Sequence, residues 1–366
     1  MLANDQNKIS QKKMSSDYAK PYSDFIGAFE KLFLIKSDES VEYMCDIITN
    51  TLISKYQLTK SQLTEIILEA LRYNYASGEN YIKILKNIGF DNKKLSNLTF
   101  PLEGSVEFIV MHDQIDKFKE YISQRGLKND NFLKIPKLNQ NSHLYLSLIE
   151  TCAYFGSVNI FFFLISSQKY TISKECLRYS LIGRNTDIIN ECLKGNQMDK
   201  YCLRDIVCSH SNEMLEFVLE RNIFTYKDFD GENSNSTAIY EDIIKYQNLK
   251  AVFLLYEREK NFIVPWCAAF PQTIDIFKNE KFPDKIDFKE RNILQYACMS
   301  QNSDIFVFLF NSTDKFDVNY HDKNEMTALH YAAMYNNTDA VFILISHGAD
   351  VNAKTILFHF ILIIII

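Results

Sequence analysis

Apolar residues recur along this chain three and four positions apart, in short blocks each opened by a polar residue. Single blocks stand at 159–164, 187–189, 213–219 and 249–254. Toward the C-terminus they come in pairs: 292–298 with 304–310, then 327–333 with 339–345. The two pairs are offset by 35, Thr327 against Asn292 and Asp339 against Asp304. Asp350-Val351-Asn352 answers Asp317-Val318-Asn319 at an offset of 33, so the earlier pair carries two extra residues in its closing loop, around 312–315. An insertion of that size in a loop costs little. A helical hairpin repeated at fixed spacing cannot bury its apolar face alone and must stack on its neighbours. The pattern therefore predicts an all-α fold, an α-solenoid of helical hairpins.

Earlier in the chain the spacing persists while the letters decay. Helical segments are expected at 144–155 and 177–182, ahead of the blocks at 159–164 and 187–189, and an earlier pair at 106–111 and 116–121. We read 102–285 as loosely formed hairpins and 286–354 as two well-formed repeats. Before them, 21–101 forms a helical N-terminal region, with helices at 24–33, from Ser40 or Val41 to Tyr56, and at 59–73. Thr59 and Ser61 are the candidate caps of the third. Residues 1–20 are polar, hold no apolar run and read as a disordered lead-in rather than a signal peptide.

The final repeat has a physical logic of its own. Thr327 is placed to cap the first helix, and the His330 imidazole to bond back to the threonine hydroxyl. Leu329 and Ala332 form a narrow stripe that lets helices approach closely. Val341, Leu344 and Ile345 form the matching stripe on the second helix, and Gly348 supplies the left-handed residue that ends it.

The stretch Thr327-Ala328-Leu329-His330-Tyr331-Ala332, followed by Gly348-Ala349-Asp350-Val351-Asn352-Ala353, resembles the ankyrin repeat. Ala328 stands where that repeat has proline, and Glu325 and Asn336 where it has glycine. With Leu148-Ile149-Glu150-Thr151-Cys152-Ala153, Glu191-Cys192-Leu193-Lys194 and Ser209-His210-Ser211-Asn212 added, the whole chain resembles the expanded ankyrin families of trichomonad protists. In those a helical region and a degenerate ankyrin-like domain precede standard repeats. The resemblance implies a cytoplasmic scaffold without catalysis that binds another protein. It also implies contact through the turn tips and the exposed side of the first helices: Phe288, Lys289, Arg291, Met299 and Ser300 in one repeat, and His321, Lys323, Asn324, Met326, Met334 and Tyr335 in the next.

Composition agrees with helices. Only 10 Gly and 6 Pro occur in 366 residues, too few for a chain built from tight β-turns. The net charge of −6 argues against nucleic acid as a partner, because gripping phosphates calls for a basic field. The eight cysteines form no C-x-x-C pair and sit in apolar runs, which reads as buried reduced thiols.

No glycine-rich phosphate loop, H-E-x-x-H or G-x-S-x-G occurs, so neither a cofactor nor catalysis is expected. His210 between Ser209 and Ser211 suggests a nucleophile–base pair, but adjacent residues on a helix point apart. Asp228 to Asn233 imitates a calcium loop with its glycine misplaced and no glutamate at the twelfth position, and reads as a polar loop.

The segment 355–366 departs from the repeat pattern. It is nearly all apolar, and twelve residues of helix span only about 18 Å against a hydrocarbon core of about 30 Å. Three readings stand open. One is a truncation or frame shift that leaves a non-functional family member. Another is a makeshift cap on the last repeat. The third is a membrane attachment that makes the chain a membrane-associated structural protein.

Overall fold

The computed structural model describes residues 18–36, 39–90, 95, 98, 100–125, 132–137, 142–167, 169–229, 238–279, 287, 289–300, 302–312 and 316–356. The lead-in before residue 18, the acidic loop from Asp230, Phe288, the loop insertion at 313–315 and the tail from Leu357 lie outside them. The described residues form two units, one built on Ser23–Ile223 and one on Phe224–Ile366 together with the short Ser16–Tyr22 segment. The division falls inside the stretch of loosely formed hairpins.

The first unit opens with four helices: α1 (Ser23–Phe33), α2 (Val41–Ile47), α3 (Lys60–Tyr73) and α4 (Gly78–Asn87). Phe25, Phe29, Leu32 and Phe33 line the buried side of α1, with Leu63, Ile66, Ile67 and Ala70 on α3. Thr59 begins α3 as half of a reciprocal cap: its hydroxyl accepts from the Gln62 N–H at 3.2 Å, and Gln62 Oε1 accepts from the Thr59 N–H at 3.0 Å. Of the two candidate caps it is Thr59 that serves. The expected helix from 41 to 56 continues past α2 as a π-helical stretch, Ile48–Lys55. Its widened turn ends where Lys55 Nζ (2.6 Å) and Tyr56 Oη (2.7 Å) both donate to the Asp24 carboxylate.

Hairpins follow: α5 (Val106–Met111) with α6 (Ile115–Arg125), α7 (Leu148–Phe155) with α8 (Val158–Ser166), α9 (Lys174–Gly183) with α10 (Thr186–Leu193), and α11 (Lys200–Cys208) with α12 (Asn212–Glu220). The second unit continues with α13 (Ile239–Lys245) and α14 (Leu249–Arg258), then α15 (Lys260–Cys267) and α16 (Ile274–Asn279). Its last hairpins are α17 (Ile293–Cys298) with α18 (Asp304–Ser312) and α19 (Ala328–Met334) with α20 (Thr338–Ser346).

One local device recurs at the start of the first helices. Ser105, Ser147, Ser173, Asp199 and Asn292 each accept a hydrogen bond from the backbone N–H three residues on. A second device ends them. Asp113, Gly156, Arg184, His210, Gln247 and Asn336 all have positive φ, and all but one are not glycine. At Asp113, His210, Gln247 and Asn336 the following N–H reaches back five residues, for example Asn337 to the Ala332 carbonyl at 2.8 Å. That tight closure turns the chain into the second helix and accounts for left-handed residues where side chains resist them. Glu325, a glycine position in the resemblance, is left-handed as well, and Gly348 has φ 86°.

Residues 144–146 are a correction. They form strand, not the start of a helix: β1 (Leu133–Lys137) pairs antiparallel with β2 (Ser142–Leu146), Leu133 opposite Leu146 and Ile135 opposite Leu144. Leu133, Ile135 and Leu146 are buried while Tyr145 is exposed, the two-residue alternation of a half-buried strand. Ser147 caps α7 only after the strand has ended.

Candidate interaction surface

In the first unit, the first helices of the hairpins carry a polar cluster that is already occupied. Asp205 on α11 is 1% exposed. Tyr73 at the end of α3 donates its hydroxyl to Asp205 at 2.8 Å, and Arg178 from α9 forks onto the same carboxylate through Nε and through Nη2 at 3.1 Å. Next to it, the Tyr154 hydroxyl on α7 donates to the Arg72 carbonyl, and Arg72 pairs with Glu69 at 2.6 Å. Burial, with the Asp205 charge beside it, pushes the Tyr73 hydroxyl well above the usual phenol range.

Helix α1 covers the neighbouring turn. The His210 ring stacks on Phe33 at 4.3 Å and on Phe29 at 5.5 Å, and Asn212 Nδ2 donates to Glu30 at 3.1 Å. The hairpins of this unit thus present their first-helix side to their own N-terminal helices. His210 lies in the left-handed turn after α11 rather than on a helix, packed between aromatic rings.

The second unit builds its turns differently. Asp322 Oδ1 accepts from the N–H groups of Asn324 (2.8 Å) and Met326 (2.9 Å), while Oδ2 accepts from the Tyr331 hydroxyl at 2.6 Å. Asp287, 35 residues earlier, accepts from the Arg291 N–H at 2.7 Å and from the Tyr296 hydroxyl at 2.6 Å. Burial pushes Asp287 up to about 6. The two turns are joined by the Lys323 N–H, which donates to the Lys289 carbonyl at 2.9 Å. Gln295 Nε2 donates to the Met326 carbonyl at 2.8 Å, and Asn337 Nδ2 to the Ser300 carbonyl at 2.6 Å.

This framework sorts the anticipated contact residues. His321, Lys323 and Met334 are exposed, and Lys289, Asn324 and Tyr335 are half-buried. Arg291, Met299, Ser300 and Met326 are buried and are withdrawn from the contact set. Arg291 is 2% exposed because its charge is met inside the stack: Nη2 lies 2.9 Å from Asp287 and Nη1 3.2 Å from Glu241, and the guanidinium sits over the rings of Tyr240 and Tyr296. Lys289 is partly engaged by Glu241 at 2.8 Å. Met326 is drawn inward by the bonds that Asp322 and Gln295 make to its backbone. Glu290 and Glu325 are exposed at the left-handed positions of the two turns and join the surface. The turn-building pairs Asp287–Tyr296 and Asp322–Tyr331 were missed from sequence. Their signal was the same two residue types at the same offset of 35.

Among the described residues no group of three His, Cys, Asp or Glu side chains is gathered for a metal ion. No helix among them is long and apolar enough to cross a membrane. All eight thiols are free and seven are buried. Burial pushes Cys192 and Cys202 up to about 12 and raises Cys152 and Cys176 as well, the opposite of what a thiolate nucleophile needs.

Comparison with known proteins matches residues 168–256 to a domain of unknown function, DUF3447, and residues 266–355 to ankyrin repeats in three copies. The human ASB11 ankyrin repeat domain is similar at 13% identity over 66% of this chain and 98% of its own, with a TM-score of 0.35. A chain from the complex of the Bdellovibrio bacteriovorus predatory endopeptidase Bd0816 with the immunity protein Bd3460 is similar at 13% identity over 67% and 99%, with a TM-score of 0.23. No curated protein matches.

Proposed function

We propose that this ankyrin-repeat chain, with its DUF3447 segment ahead of the repeats, is a non-catalytic scaffold that grips another protein through its second unit. Ankyrin repeats are protein–protein interaction domains, and their fold is typically non-enzymatic. The observation that carries the reading is a contrast between the units. In the first, Tyr73, Phe29 and Phe33 of the N-terminal helices cover the first-helix side of the hairpins. In the second, the turn bearing His321, Lys323 and Glu325 and the end of α19 at Met334 stay exposed on a hydrogen-bonded frame.

A rigid turn with mixed charge beside an exposed methionine loses little conformational freedom on binding and offers both steering and apolar contact. The net charge of −6 supports a protein partner over nucleic acid. Buried free thiols support a cytoplasmic location. The order of a DUF3447 segment before ankyrin repeats supports placing the chain with the trichomonad-type families.

The test is affinity capture from lysate with the full chain and with a Lys323→Glu, Met334→Asp double variant, read by quantitative mass spectrometry. A partner retained by the first and lost from the folded second supports this surface. Equal recovery by both overturns it.

A further inference from the structure

The ribbon of β1 and β2 is a short piece of sheet in a helical chain, and its two edges differ. Pro136 has no N–H to donate, so the bonded rungs of the ladder are those on either side of it, Ile135 with Leu144 and Lys137 with Ser142. Leu133 with Leu146 follows in step. The residues between turn their backbone groups away from the partner strand: Lys134 and Pro136 on β1, His143 and Tyr145 on β2. The β1 edge is thus guarded by a lysine and by a proline without a donor, two common ways of closing an edge. On β2, His143 and Tyr145 each offer an N–H and a C=O, and among the described residues no hydrogen bond takes them up.

The side chains around that edge share one kind of chemistry. His143 is exposed and Tyr145 is 52% exposed. Lys134 stands opposite Tyr145 and reaches across β2 toward the open edge, its Nζ 5.8 Å from the centre of the Tyr145 ring. The other face is apolar, with Leu133, Ile135 and Leu146 buried and Leu144 half-buried. From Leu133 to Leu146 the sequence holds Lys134, Lys137 and His143 and no acidic residue, in a chain whose net charge is −6.

We propose that the β2 edge takes up an extended acidic segment of another protein as a third strand. Main-chain bonds to His143 and Tyr145 hold the segment. Its acidic side chains, opposite those two residues, meet Lys134 on the outer face, and apolar side chains between them extend the inner face beside Leu144. This site belongs to the first unit and stands apart from the surface at His321, Lys323 and Met334. A second copy of the ribbon is the poorer occupant, because it brings lysines to lysines.

The test uses the full chain and a fluorescent hexapeptide alternating Glu and Val, read by anisotropy. Two companion peptides are N-methylated, one at every Glu, whose N–H faces β2, and one at every Val, whose N–H faces away. The expected result is saturable binding that is lost on methylation at Glu and kept on methylation at Val. The His143 and Tyr145 amides gain protection from hydrogen exchange when the peptide binds. Lys134→Glu, at an exposed position, leaves the circular dichroism unchanged and weakens binding by about fivefold, the scale of a cross-strand charge pair turned from attraction to repulsion. No binding, equal loss from both methylated peptides, protection of other segments only, or an affinity indifferent to Lys134→Glu overturns the proposal. Protection of His143 and Tyr145 that grows with protein concentration in the absence of peptide also overturns it, by marking a second copy as the occupant.

Discussion

The Tyr331 hydroxyl donates to Asp322 at 2.6 Å, and thirty-five residues earlier Tyr296 does the same to Asp287 at the same distance. In each repeat an aspartate that folds the turn is held by a tyrosine of the first helix, so turn and helix set as one piece. Tyr331→Phe removes the donor and leaves a buried carboxylate oxygen short of a partner. Loss of a hydrogen bond to a charged group costs about 1.5–3 kcal/mol. Urea unfolding should show that loss, and Tyr296→Phe should show a comparable one.

The cap between Thr327 and His330, three residues apart, yields a pH prediction. The His330 Nδ1 accepts from the Thr327 N–H at 3.0 Å and pairs with its hydroxyl at 2.9 Å, while burial holds the imidazole below its ordinary range. A folded-state value below the unfolded one, about 6.5, means the unfolded chain takes up the proton first. The contribution is fully present above about pH 6.5 and is lost as pH falls through the folded value. In the preceding repeat Gln295 holds the Asn292 N–H at 2.9 Å without a titrating group. His330→Gln should keep the cap and flatten this part of the stability–pH curve between pH 7.5 and 5. An unchanged curve would show that the acid sensitivity lies elsewhere.

Asp205 gathers Tyr73 and Arg178 from two different elements in a buried site. Asp205→Ala strands the guanidinium and is expected to cost about 3–5 kcal/mol, as removal of one member of a buried pair does. Loosening α3 from the hairpins should also raise amide hydrogen exchange along Lys60–Tyr73. Exchange left as in the parent chain would deny Asp205 its role in seating that helix.

Gly183, the last residue of α9, lies against the backbone at the end of α7. A Cβ there would stand 2.2 Å from the Ala153 carbonyl oxygen and 2.8 Å from the Gly156 nitrogen, both backbone atoms. Gly183→Ala should therefore destabilise the first unit by about 1–3 kcal/mol despite its better helix propensity. Chemical denaturation reads the outcome, and a gain in stability would mean the two helices separate at little cost.

What the sequence disclosed follows from how local each interaction is. The repeats of 292–352 were legible because caps, turns and stripes lie within a few residues of one another and recur in step: Asn292 with Gln295, Thr327 with His330, Gly348 at the helix end. The strands at 133–146 were passed over because Leu144 and Leu146 also fit a helical spacing that runs on into α7. Arg291 was placed on the surface because turn residues usually are. Its burial depends on Glu241, fifty positions away in the chain, and on the Tyr240 ring. The covering of the first-helix side by α1 and α3 rests on pairs such as Tyr73 with Asp205 and Asn212 with Glu30. No spacing rule reaches across such separations.

Those long separations also impose an order in time. Asp205 follows Tyr73 by 132 residues. At a synthesis rate of about 5–20 residues per second, α3 leaves the ribosome roughly 7–26 s before the side chain that anchors it exists. Through that interval the Tyr73 hydroxyl lacks the carboxylate that it meets in the finished protein. Slowing translation across 102–205 should therefore lengthen the time for which the end of α3 waits without its anchor.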